Sequence, residues 1–190
     1  MKFALSFATA LALVSLCGCS TTIALNKIQT TTAKVNLIDD RSVEERVYRR
    51  DGVLSPIQYF GDADFDSPPL SQFSELLGSK LPAGSFTFEV KKFRVIDVFP
   101  QRLATGTAAA LGGVLGSMGY STYFSGPTSL SQDNITCLVS ASLDAKTVDV
   151  SVSVPYKLSS LAGMVKNDPS FKEAVNKCLV HLADDVAKSS

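Results

Sequence analysis

Two alternating segments in the last third of this chain leave it few folds to choose from. Ile135, Cys137, Val139, Ala141 and Leu143 fall on one side, with Thr136, Ser140 and Ser142 on the other and Leu138 as the exception. After a turn near Asp144, Ala145 and Lys146, Val148, Val150, Val152 and Val154 alternate with Thr147, Asp149, Ser151 and Ser153. Successive strand side chains point to opposite faces, so this pattern specifies an antiparallel hairpin with one buried and one wet face. An apolar sheet face needs a cover, and the C-terminal segment supplies one. Phe171, Ala174, Val175, Cys178, Leu179, Leu182 and Val186 recur at helical spacing, opposite Lys172, Glu173, Lys177 and Asp184. Asp168 is a favourable N-cap for that helix and Pro169 a favourable first residue.

The remaining elements follow from weaker patterns. Ala33 to Ile38 alternates and ends at Asp39, Asp40 and Arg41, a first strand. Residues 42–69 are irregular, with a charged stretch (Glu44, Glu45, Arg46, Arg49, Arg50), a turn at Asp51-Gly52 and a short strand around Ile57 to Phe60. Leu70, Phe73, Leu76, Leu77 and Leu81 mark a helix that Pro82 stops. Phe86 to Phe99 is the longest strand, and its alternation slips between Lys91 and Phe93, which predicts a bulge. Helices covering one face of a small, mostly antiparallel sheet give the α+β class, as a single domain over residues 33–190.

Composition limits what such a domain does. Eighteen basic and eighteen acidic residues cancel in a chain of 190. A nucleic-acid binder needs a basic surplus to neutralise phosphates, so no nucleic-acid partner is expected. Apolar residues make up 45% of the chain, enough for a real core. One histidine, His181, leaves little for the commonest acid–base or zinc chemistry.

The N-terminus sets the compartment. Lys2 precedes an uncharged apolar stretch from Phe3 to Leu16, too short for a bilayer span of about 20 residues and read as a signal peptide over residues 1–18. Leu16-Cys17-Gly18-Cys19 resembles the bacterial lipobox. The resemblance implies cleavage between Gly18 and Cys19, lipid on Cys19, and membrane attachment through that lipid. Each buried methylene contributes about 0.8 kcal/mol, and two chains already make membrane residence stable. Ser20, in place of an aspartate, implies passage to the periplasmic face of the outer membrane. Residues 19–32, rich in threonine, read as a tether.

The lipobox, the Val35-to-Arg41 start and the order of elements together resemble the YajG-like envelope lipoproteins, and more broadly the transport-auxiliary lipoproteins of Gram-negative bacteria. Residues 103–132 are an insertion outside that pattern and carry no charge. Leu111, Gly112, Gly113, Val114, Leu115 and Gly116 form its core, with Gly112 and Gly116 on one helix face, as in small-residue membrane pairs. This segment is a candidate membrane or partner contact, or else a pliable excursion between two strands.

Other constellations carry less. Asp62, Asp64 and Asp66 alternate like the start of a calcium loop, but Ser67 stands where its glycine belongs and Phe73 where its acid belongs, leaving a solvated acidic loop. Cys178 and His181 offer half a zinc site with no second pair, so no metal and no cofactor are expected. Asp39, Asp40 and Arg41 serve either to anchor a loop or as partner surface. Once Cys17 leaves with the signal and Cys19 takes lipid, Cys137 and Cys178 remain on facing apolar sides. In an oxidising periplasm they are expected to form a disulfide closing a loop of about 40 residues, contributing roughly 4 kcal/mol. The alternative is two buried thiols acting as small hydrophobes. The functional expectation is a non-enzymatic lipoprotein of the outer membrane that binds or scaffolds another envelope protein. The alternative is a carrier holding an apolar ligand between the sheet and the last helix.

Overall fold

The computed structural model describes residues 22–26, 31–50, 57–99, 133–158 and 165–189. The signal peptide, Gly18, Cys19, the Asp51-Gly52 turn and the 103–132 segment, with Leu111 to Gly116, lie outside the described residues. The fold is α+β. Its strands are β1 (Ala33–Asp39), β2 (Arg49–Arg50), β3 (Ile57–Phe60), β4 (Gly84–Val98), β5 (Asn134–Leu143) and β6 (Lys146–Pro155). The described residues also form two helices, α1 (Pro69–Lys80) and α2 (Pro169–Ser189), and tight helical turns at Val43–Arg46, Asp62–Asp64 and Val165–Asn167.

The fifteen-residue strand β4 organises the sheet. β5 pairs antiparallel along one edge from Phe88 to Val98, and β6 continues outward from β5. Two strands share the opposite edge: β1, parallel, against Gly84 to Val90, and β3, antiparallel, against Val95 to Val98. The sheet is therefore mixed: β1 runs parallel to β4, and the other described strand pairs are antiparallel.

Pairing passes from Val90–Ala141 straight to Lys92–Ser140, so Lys91 is the extra residue of a bulge. That residue switches the parity of the inward side, from Phe88 and Val90 to Phe93, Val95 and Asp97. The slip in the sequence pattern had this cause. The β5–β6 turn holds Asp144 and Ala145 at φ of 47° and 69°, both positive as the type I′ form of a two-residue hairpin requires. Asp144 then joins β4, its N–H donating to Thr87 O at 2.9 Å and its Oδ1 accepting from Thr87 N at 2.8 Å.

Both helices cover the same face. Phe73 of α1 stacks near Phe88 and Phe93, at centroid distances of 5.8 and 5.4 Å. Phe171 of α2 meets Phe60 and Tyr156 edge-on, each at 5.5 Å. Asp168 Oδ1 accepts from Ser170 N at 2.9 Å and caps α2 as its sequence predicts. Where α1 crosses β1, a Cβ on Gly78 would lie 2.8 Å from Ala33 O. The missing side chain lets Thr32 N and Oγ1 donate to Gly78 O.

The tether reading of residues 19–32 is corrected in its described part. Ile23 is fully buried and forms a one-residue parallel bridge to Phe65, donating to Asp64 O at 2.8 Å and accepting from Asp66 N at 3.1 Å. Leu25 is buried beside it, and Asn26 N donates to Asn176 Oδ1 of α2 at 2.8 Å. Two apolar residues spaced by one suffice to anchor a strand-like edge, even among threonines.

Candidate binding face

Apart from the helical turn Val43–Arg46, whose Glu45 reaches Arg94, no described element packs against the sheet face opposite the helices. Its cross-strand rows follow from register. One row runs Arg49, Tyr59, Ile96, Thr136, Ser153; the next holds Arg94, Leu138 and Ser151; the next Lys92, Ser140 and Asp149. Toward the hairpin tip, Ile38, Glu89, Ser142 and Thr147 follow. The face is polar at β6 and becomes basic and aromatic at the β3–β4 corner.

At that corner the Arg49 guanidinium lies 4.1 Å from the Tyr59 ring centroid and that of Arg94 5.4 Å from it. Cations over an aromatic face are attracted by its quadrupole, so the two arginines fix the ring. Arg94 also grips Glu45 bidentately, with Nε donating to Oε2 at 2.7 Å and the second guanidinium nitrogen to Oε1. Glu45 comes from the helical turn after β1, which wraps the free stretch of the β4 edge. Hydrogen bonding from Arg94 lowers the Glu45 pKa; burial opposes this, and the charges of Arg94, Lys92 and Arg49 reinforce it. Three cations thus converge on one carboxylate, leaving a surplus of two positive charges beside a half-buried tyrosine.

The helix side of the same edge is closed by a second ionic group. Arg41 is 5% exposed, with Nε 2.9 Å from Asp39 Oδ1 and a terminal nitrogen 2.9 Å from Asp62 Oδ2. Its guanidinium stands 5.9 Å from the Phe93 ring. Burial works to raise Asp39, but the hydrogen bonds and charge of Arg41, then the charge of Arg46, outweigh it and leave the pKa lowered. Of the two roles considered for Asp39, Asp40 and Arg41, the structure assigns the loop anchor to Asp39 and Arg41, while Asp40 is exposed.

The acidic segment after β3 is not the solvated loop its sequence suggests. Asp62 binds Arg41, Asp64 accepts from Gly61 N at 2.7 Å and pairs with Lys166, and Asp66 accepts from Leu25 N at 3.2 Å. Each carboxylate ties a different chain segment to one point. Gly61 permits this, since a Cβ there would lie 2.5 Å from Tyr48 N.

Sequence reasoning passed over Asp97. It is fully buried on the helix-covered face, where Tyr156 OH donates to Oδ1 at 2.7 Å and Gln58 Nε2 to Oδ2 at 3.1 Å. The signal was present: once the bulge is counted, Asp97 holds an inward position between Val95 and Phe99.

Cys137 and Cys178 are both fully buried, on the facing sides of β5 and α2 that the two periods predict, and both are free thiols here. Burial, then the neighbouring Cys178 thiol, pushes the Cys137 pKa well above its ordinary value. His181 is exposed while Cys178 points into the core, so the two do not converge. Among the described residues no group of three or more His, Cys, Asp or Glu side chains is placed to hold a metal ion, and no helix is long and apolar enough to cross a membrane.

No protein-family model matches this chain, and comparisons with curated proteins and with solved structures return no match either.

Proposed function

We propose that this chain is an outer-membrane lipoprotein, anchored on the periplasmic side through lipid on Cys19, that binds an envelope protein partner without catalysing a reaction. The reading is supported by the Leu16-Cys17-Gly18-Cys19 sequence for the anchor and by the uncovered sheet face for the binding role. The single observation that carries the binding role is the Arg49–Tyr59–Arg94–Lys92 corner. Its surplus charge and fixed aromatic ring suit an acidic segment of a protein partner, since tyrosine and arginine dominate interface anchors. Packing supports this role over the carrier alternative. Phe171, Val175, Cys178, Leu179 and Leu182 fill the space against Ile135, Cys137 and Val139, all at most 2% exposed.

Capture from detergent-solubilised envelopes, comparing wild type with the double variant R49E/K92E, tests the binding role. The expected result is a partner held by wild type, weakened by added salt, and lost with the variant while circular dichroism stays unchanged. A partner retained equally by both would overturn the assignment of this face.

A further inference from the structure

Cys178 lies on α2 directly above the ladder position of Cys137. Its Sγ is 3.5 Å from both Ile135 O and Val152 O. Ile135 is two residues before Cys137 on the same side of β5, and Val152 is the residue paired with Cys137 on β6. The sulfur of α2 is therefore centred on the strand position that carries the other sulfur. Two side chains of this size fill the core adequately as thiols. What distinguishes the pair is that it joins two elements through residues 41 positions apart, both at zero exposure.

We propose that Cys137 and Cys178 form a disulfide that staples α2 to the centre of the sheet, and that it closes only while α2 is off the sheet. The thiolate of one cysteine attacks an external disulfide, such as oxidised glutathione or a disulfide-donating oxidase of an oxidising compartment. A mixed disulfide forms and one external thiol leaves. The second cysteine, as thiolate, then attacks the mixed disulfide, forming the Cys137–Cys178 bond and releasing the other external thiol. Two electrons and two protons pass from the pair to the oxidant, whose disulfide becomes two thiols. Neither buried thiol meets an oxidant while α2 is docked, so closure belongs to folding or to local opening. The proposal rests on the envelope reading only for the identity of the oxidant in the cell.

The test uses the full chain, reduced and denatured, then refolded with oxidised glutathione, and in parallel the same chain extracted from cells. Both samples are alkylated in denaturant without reduction, and their peptides are weighed. A peptide pair joined through Cys137 and Cys178, distinct from any pairing of Cys17 or Cys19, is expected in the refolded sample. The reduced, folded chain is expected to acquire the bridge far more slowly than the unfolded one under the same oxidant. The bridge should raise the thermal midpoint by about 10 °C over the reduced protein, a difference absent from the C137A/C178A variant. Joined peptides after refolding with alkylated thiols in the cell-extracted sample would uphold the staple and overturn the envelope reading. Both cysteines alkylated after oxidative refolding to the native circular dichroism spectrum would overturn the staple itself.

Discussion

The two sides of β4 are built by different physics. On the β5–β6 side, alternating valines and a seven-residue apolar stripe lock together, and the packing needs no charge. On the β1–β3 side the edge is interrupted, and short irregular segments are held in place by Arg41 with Asp39 and Asp62 on one face and Arg94 with Glu45 on the other. A periodic apolar pattern can cover a continuous ladder. Where the ladder breaks, the unpaired edge and the wrapping chain need directional contacts, and the buried Arg41 and half-buried Arg94 guanidinium groups provide them.

This contrast is open to measurement. The largest effect is expected on the apolar side: Phe171→Ala removes a fully buried ring between Phe60 and Tyr156 and should cost about 4 kcal/mol by denaturant unfolding, with little dependence on salt or pH. Arg41→Met should cost about 3 kcal/mol at neutral pH, because it leaves two carboxylates apposed. Here the loss must shrink in acid. The lowered pKa of Asp39 means the folded chain binds fewer protons than the unfolded one between the two values, so its contribution is present above the unfolded value near 4 and is lost as pH falls through the folded one. Unfolding of wild type and variant at pH 7 and at pH 3 checks this; an equal gap at both would erase the distinction between the two sides.

Two smaller changes sharpen it. Tyr156→Phe keeps the ring but removes one donor to buried Asp97, and is expected to cost about 1.5 kcal/mol in thermal or chemical denaturation. Ala145→Gly should instead stabilise the hairpin by about 1 kcal/mol, since its φ of 69° suits glycine. A loss of stability in that variant would mean the turn is not under this backbone constraint.

The same contrast explains what was legible in the sequence. The hairpin, both helices, the α2 cap and the position of the β4 bulge could be read because each repeats a local period or places a residue where only backbone geometry matters. Arg41 could not be read as buried, because its partners are Asp39, two residues away, and Asp62, brought near only by β3. Ile23 and Leu25 were hidden by their threonine-rich surroundings, and β2, two residues long, shows no period. The basic corner was missed for a related reason: Arg49 comes from the two-residue β2, and Lys92 and Arg94 come from β4 just past the bulge, which decides the face they share. The facing of Cys137 and Cys178, by contrast, needed only the two regular periods.

The proposed function has this domain displayed from a membrane by lipid on Cys19. Intact-mass analysis of the chain extracted from envelopes tests it most directly. A mature protein beginning at Cys19 and carrying the mass of attached acyl chains is the result predicted, with a Cys19→Ala variant neither processed at that bond nor retained on membranes. A chain that keeps residues 1–18, or is cut elsewhere and carries no lipid, would contradict it.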